Sequence, residues 1–223
     1  MKRSLKCTAW LGALIVGLAL ANSASATIVV VNPNETTMNL GDWAGLGGAG
    51  YSQQDKNWVY LSSSGLSASL PLSFKFFTLG PEDQHLLSIG QLFQGAYSLD
   101  YSISVIQPSA FQIVQASLGV DPDGSKGNWS VTKTFYSDPN FSNQVGSTLT
   151  VSNSSPGNAI DTFPGVTTLY VRETWSIDSL STVVSASNTY VQQVPEPASI
   201  AVWSVIGVVG LAFGWKYRKQ RTI

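Results

Sequence analysis

Eleven consecutive residues, Ala96–Ile106, read AYSLDYSISVI, with Tyr97, Leu99, Tyr101, Ile103 and Val105 at every second position and mostly Ser or Asp between them. A period of two puts alternate side chains on opposite faces of an extended strand, whereas a helix would scatter the same residues around its circumference. Further β-type runs, rich in Val, Ile, Thr and aromatics, follow at Phe111–Val120, Trp129–Tyr136, Ser147–Val151, Thr167–Ile177 and Val183–Val191. Earlier candidates are Ile28–Val31, Trp58–Leu61 and Leu70–Phe77. Pro71 has no N–H to donate and marks the last of these as an edge or irregular strand. Gly80-Pro81-Glu82-Asp83 opens either one short helix, with Pro at its first position, or another strand.

Turn residues punctuate the runs. Asp121–Asn128, DPDGSKGN, is placed to close a long hairpin between Phe111–Val120 and Trp129–Tyr136. Asp138-Pro139-Asn140 and Ser154–Asn158 read as exposed loops. About eight to ten short strands without a long amphipathic helix point to an all-β fold, an antiparallel β-sandwich. Neither an internal repeat nor a second separable domain is visible in the sequence.

Charge narrows the partners. Lys and Arg number 12 and Asp and Glu 13 among 223 residues, so 11% is charged, against roughly 25% in ordinary soluble domains. Between Thr27 and Val194 there are 5 basic and 12 acidic residues, 5 − 12 = −7, and Ser and Thr supply 40 of 168 positions. An acidic, hydroxyl-rich surface repels phosphate backbones, which excludes nucleic acid as a partner.

Both ends of the chain differ from this body. Lys2, Arg3 and Lys6 precede an uncharged apolar stretch, Ala9–Leu20, and then Ala24-Ser25-Ala26. A basic start, a short apolar run and a small-x-small site compose a secretory signal peptide over 1–26, cleaved by signal peptidase after Ala26 with Ala24 and Ala26 as the recognised pair. The single cysteine, Cys7, leaves with it. The exported body over 27–194 therefore has no disulfide and rests on its apolar core alone. At the other end, the 18 residues Ala198–Trp215 contain no ionisable side chain. As a helix they reach about 27 Å, close to the thickness of a bilayer core. Lys216, Arg218, Lys219 and Arg221 follow and would hold the stub in the cytoplasm. Pro195-Glu196-Pro197 lies just outside that span and is held extended by its two prolines.

This order of Pro-Glu-Pro, span and basic terminus over 195–223 resembles the PEP-CTERM sorting signal of Gram-negative bacteria, whose members are substrates of the membrane-embedded protease exosortase. The resemblance implies that Pro195, Glu196 and Pro197 form the recognition element and that the span and basic tail are removed after export. It also implies a host that secretes exopolysaccharide and forms biofilm or floc. The precursor would then be held in the membrane by its C-terminal transmembrane helix, and the mature form would lie in the cell envelope or extracellular matrix. The resemblance is confined to the tail and assigns nothing to the ectodomain.

Within the body, chemical signatures are few. Gly45–Gly50 matches G-x-G-x-x-G by letter, but Tyr51–Asn57 has no helical stripe and Ser64–Leu70 offers no acid, so the stretch reads as a flexible loop. Asp121 and Asp123 resemble the start of a calcium loop, yet Lys126 and Thr132 stand where an EF-hand needs Gly and Glu. A turn with two solvated carboxylates is favoured there, and a looser oxygen-lined site stays open. The sole histidine, His85, reads as a surface residue near Pro81, and no G-x-S-x-G elbow accompanies it. Trp129 and Trp175 lie in β-type runs and read as core, whereas Trp43, beside Asp42, is the best placed to lie at the surface. No cofactor or metal is implied. Three readings remain: a non-catalytic envelope or matrix protein working by contact with exopolysaccharide or surface partners, a passive single-span membrane protein whose tail is not processed, or a secreted carbohydrate-active enzyme. The last would draw a carboxylate pair from residues such as Asp100, Glu173 and Asp178.

Overall fold

The structure, a computed structural model, describes residues 34–79, 82–107, 111–123 and 127–193. The strand expected at Ile28–Val31, the signal segment with Ala24 and Ala26, and the tail with Pro195–Pro197, the apolar span and its basic cluster all lie outside the described residues. Among those described, no helix is long and apolar enough to cross a membrane.

The chain is all-β. Two six-stranded sheets, antiparallel at every pairing, face each other. The first sheet runs, in spatial order, β1 (Asn34–Asn39), β4 (Pro71–Leu79), β5 (Glu82–Phe93), β12 (Val183–Gln193), β7 (Gln112–Pro122) and β10 (Asn158–Val166). The second runs β2 (Tyr51–Gln53), β3 (Lys56–Ser64), β6 (Gly95–Val105), β11 (Thr168–Ile177), β8 (Trp129–Tyr136) and β9 (Gln144–Ser152). Alternation decides which side chains meet between the sheets. Leu99, Tyr101, Ile103 and Val105 of β6 are buried opposite Leu87 and Ile89 of β5 and Ile113, Ala116 and Leu118 of β7. An aromatic group fills one part of this core, with Trp58 edge-on to Phe74 and Tyr190 at 5.5 Å each.

Three local expectations change on folding, and one open choice is decided. Asp121–Asn128 does not close a hairpin: β7 pairs with β12 and β10 in the first sheet, while β8 pairs with β11 and β9 in the second. Both strands carry an apolar face, and placing them in opposite sheets buries each against the other's side of the core. The same turn chemistry serves a crossing between sheets as well as a hairpin. Glu82 and Asp83 begin the strand β5, not a helix, because Leu87, Ile89 and Phe93 continue the inward alternation. Pro71 begins β4, which is flanked on both sides by β1 and β5, so this proline is tolerated as a strand's first residue and not by standing at an edge.

The glycine-rich stretch is the third change. Leu40–Gly45 forms a short helix, α1, followed by a single 3-10 turn, Gly47–Ala49. Leu40 N–H donates to Leu70 O and Gly41 N–H to Ala68 O, which ties α1 to the segment entering β4. Trp43 is fully buried, edge-on to Phe74 at 5.3 Å, and its Nε1–H donates to Trp58 O at 3.1 Å. Trp43, the tryptophan best placed by sequence to reach the surface, is thus a core residue, because α1 is tied back toward β4 and turns the ring onto Phe74 and Trp58. Gly50 then turns the chain at φ +66°, where any side chain would press on Trp58 O.

Candidate functional site

The second sheet's outer face is built by the polar half of each alternating strand. On β11 Leu169, Val171, Glu173, Trp175 and Ile177 point inward, leaving Thr168, Tyr170, Arg172, Thr174 and Ser176 outside. On β8 the outer set is Ser130, Thr132, Thr134 and Tyr136. Register aligns these residues into rows across the strands. Ser64, Ser98, Thr174, Thr132 and Thr150 make one row, and the Thr132 and Thr174 hydroxyls hydrogen-bond at 2.6 Å. In the neighbouring row Ser62 donates to Asp100, Arg172 grips the same carboxylate, and Thr134 and Thr148 share a 3.0 Å bond. Strands stand about 4.8 Å apart and same-face residues about 6.7 Å along a strand, so this face is a lattice of hydroxyls, each able to donate and to accept.

One end of that lattice opens into a cleft of about 550 Å³, lined chiefly by Asn128, Ser130, Ser152, Asn153, Ser176 and Asp178. Trp129 forms part of its apolar floor, itself nearly buried. Asp178 is committed to the backbone around it: its carboxylate accepts N–H bonds from Asn128 at 2.6 Å and Leu180 at 2.9 Å. Those bonds, that of Asn128 first, hold its carboxyl below the usual carboxylate range. Gly127 lies against the same carboxylate so closely that a Cβ there would overlap it. The cleft therefore offers hydroxyls and amides to a ligand, with its one charged group already occupied.

The three acids considered for catalysis are not brought together. Asp100 is on the outer face of β6, bonded to Arg172. Glu173 follows Arg172 in β11 and so points the opposite way, into the core. Asp178 lies six residues beyond Arg172, about 20 Å along an extended strand. Asp121 and Asp123 are exposed, and among the described residues no three His, Cys, Asp or Glu side chains are grouped to hold a metal ion.

His85 is fully buried, which overturns its reading as a surface residue: β5 is a strand, and position 85 is in phase with Leu87 and Ile89. Its ring packs on Phe76 at 4.9 Å, and Nε2 lies 3.6 Å from Asp55 Oδ1. Lys56, also buried, donates to Asp55 Oδ1 at 2.7 Å and to Gln192 Oε1. Gln192 Nε2 in turn donates to Asp83 Oδ2 at 3.2 Å. Burial first, and the Lys56 charge second, push the imidazole down to about 3. The ring is neutral, its nearest carboxylate is already held by Lys56, and neither ring nitrogen has a hydrogen-bond partner among the described residues, so the imidazole packs beside this rim network without joining it.

Sequence reasoning missed the rows of the outer face and singled out acids instead. The signal was present: the residues interleaved with an apolar alternation are the exposed ones, and in TLYVRETWSI they include three hydroxyls and a tyrosine hydroxyl. No family model matches this chain, and no curated protein matches it. Among solved structures, a carbohydrate-binding module described for its specific recognition of mannan is similar at a TM-score of 0.34 and 8% identity, over 73% of this chain and 99% of that one.

Proposed function

We propose that this chain is an exported, non-catalytic surface or matrix protein that contacts extracellular polysaccharide through the cleft at the end of its second sheet. In this reading signal peptidase releases the body after Ala26, the helix 198–215 anchors the precursor, and exosortase acts at Pro195-Glu196-Pro197 once Lys216, Arg218, Lys219 and Arg221 have stopped transfer. The observation that carries the contact is the chemistry of the cleft: hydroxyl and amide groups open to solvent, an apolar floor, and a carboxylate already satisfied by backbone N–H groups. Sites for uncharged polyols have this composition, with apolar surface for area and a few placed polar groups for orientation.

Residues 27–194 contain both sheets and their whole described core, so they suit a direct experiment. The protein recovered from the host's extracellular fraction and the purified body are each passed over immobilised polysaccharide from the same cells. Retention of both, lost in a Ser176→Trp variant that fills the cleft, is the expected result. Free passage of the wild-type body would sink the reading.

A further inference from the structure

The cleft is one end of a longer tract. We propose, building on the polysaccharide reading above, that the ligand is a linear uncharged glycan laid along β11 and β8, with its far end stacked on an aromatic platform formed by Tyr136, Phe141 and Tyr170. Tyr170 and Tyr136 are direct partners in the β11–β8 register, both on the outer face and both half-buried. Phe141, from the β8–β9 loop, stands edge-on to Tyr136 at 5.3 Å. Among the described residues these three half-buried rings lie together on a face whose rows are rich in hydroxyls.

The platform is held in place before any ligand arrives. Phe141 has φ +55°, a backbone conformation that a bulky residue adopts only when its surroundings impose it. Asp138 imposes it here, accepting N–H bonds from Asn140 at 3.0 Å, Ser142 at 3.2 Å and Asn143 at 2.7 Å. From the other side the Arg172 guanidinium lies 4.2 Å from the centre of the Phe141 ring, and Asp100 fixes that guanidinium through two 3.0 Å bonds. Arg172 covers one face of Phe141 and Tyr136 stands at 87° to it, so a sugar would stack on a single pre-held ring face and meet the perpendicular ring at its edge, with little further loss of side-chain freedom.

Length and charge define the glycan. From Tyr170 to Ser176 is six residues, about 20 Å of strand, with Thr132, Thr134 and Thr174 between platform and cleft. That distance suits an oligosaccharide and not a single ring. Arg172 is the one basic side chain on this face among the described residues, and Asp100 already neutralises it. The net charge of −7 over 27–194 further disfavours uronates and sulfated or phosphorylated chains.

The experiment titrates the purified body with a mannan, a β-glucan, a xylan and alginate, then with the oligosaccharide ladder of whichever neutral polymer binds. Affinity should climb with chain length up to the span of the tract, and alginate should not bind. Tyr136→Ala/Tyr170→Ala should lower affinity for the longer oligosaccharides at least tenfold and leave binding of the shortest one unchanged. Asp138→Ala should do the same by releasing Phe141, and a retained far-UV spectrum with cooperative unfolding, at a lower melting temperature, would separate that effect from global unfolding. Length-independent affinity, or loss only in the Ser176→Trp variant, would overturn the tract and leave the cleft standing. Equal binding of alginate would overturn the uncharged assignment. No binding of any neutral polymer, by contrast, condemns the proposed function itself.

Discussion

Arg172 and Glu173 are consecutive residues of β11, and each faces an opposite charge on a neighbouring strand. Arg172 meets Asp100 of β6 on the outer face, through two bonds of 3.0 Å, with 43% of the arginine side chain exposed. Glu173 stands opposite Lys133 of β8 in the strand register on the inner face, without a direct ion pair, and both are 0% exposed. Outside, the Asp100 bonds raise the guanidinium still further above its ordinary value. Inside, burial pushes the Glu173 carboxyl up and the Lys133 ammonium down, and their mutual attraction only partly opposes this. The inner pair leans on neutral neighbours. Trp175 Nε1–H donates to Glu173 at 2.8 Å, Lys133 donates to Ser117 O at 3.1 Å, and the Lys133 nitrogen lies 4.2 Å from the Tyr190 ring centre. One residue's shift along a strand thus moves a charged group from a solvent-facing ion pair to an enclosed position where burial opposes ionisation.

The largest effect should come from splitting the inner pair. Lys133→Met or Glu173→Gln alone leaves one charged or reprotonated group enclosed, at a cost of about 3–5 kcal/mol. The double variant removes both charges yet keeps an acceptor for Trp175, and it should recover most of that loss. Urea unfolding of the four proteins gives the coupling energy. Equal destabilisation by the double and the worse single variant would mean that the two residues act independently.

An intermediate case lies at the rim of the core, where Asp55 retains 27% of its side-chain exposure beside buried Lys56 and His85. His85 has a folded value of about 3, below the 6.5 of an unfolded chain. Between those limits the unfolded state binds the extra proton, so stability falls as pH drops from 6.5 toward 3, by about 1.4 kcal/mol per pH unit for one such group. His85→Phe should flatten that part of the profile. The inner pair tests the same physics at full burial, the rim pair with one partner reaching water. A His85→Phe profile as steep as the wild type in this window would assign the acid sensitivity to other groups.

The two-sheet architecture was legible because alternation states which residues must be inside, and AYSLDYSISVI could be satisfied in no other way. The same alternation held unread information. In WSVTKTFY, Lys133 is in phase with Trp129, Val131 and Phe135, and in TLYVRETWSI, Glu173 is in phase with Val171 and Trp175. Both charged residues announced their burial by position. His85 did so as well, in phase with Leu87 and Ile89, but the proline before it suggested a surface turn. What no local pattern carries is partnership between strands distant in the chain. That β7 and β8 part into different sheets, or that Tyr136 lands beside Tyr170, depends on the packing of the whole core. The candidate face was therefore readable strand by strand and unreadable as a surface.

The smallest effect should belong to the outer pair, and its size is what gives the comparison meaning. Arg172→Ala removes two hydrogen bonds and a guanidinium lying over Phe141, and it uncovers an Asp100 carboxylate that is 12% exposed in the pair and keeps its Ser62 bond. Exposed pairs contribute about 0–1 kcal/mol, with two-bond arginine geometry toward the upper end. In about 1 M salt the difference between Arg172→Ala and wild type should shrink, since screening there acts within about 3 Å. The inner-pair variants should show no such salt response, because no ions reach Lys133. If Arg172→Ala instead costs as much as Lys133→Met and ignores salt, the outer face is shielded from solvent by something that the sandwich alone does not contain. A modest, salt-sensitive loss leaves that face open to water, as a surface that exchanges hydration for a ligand's hydroxyls must be.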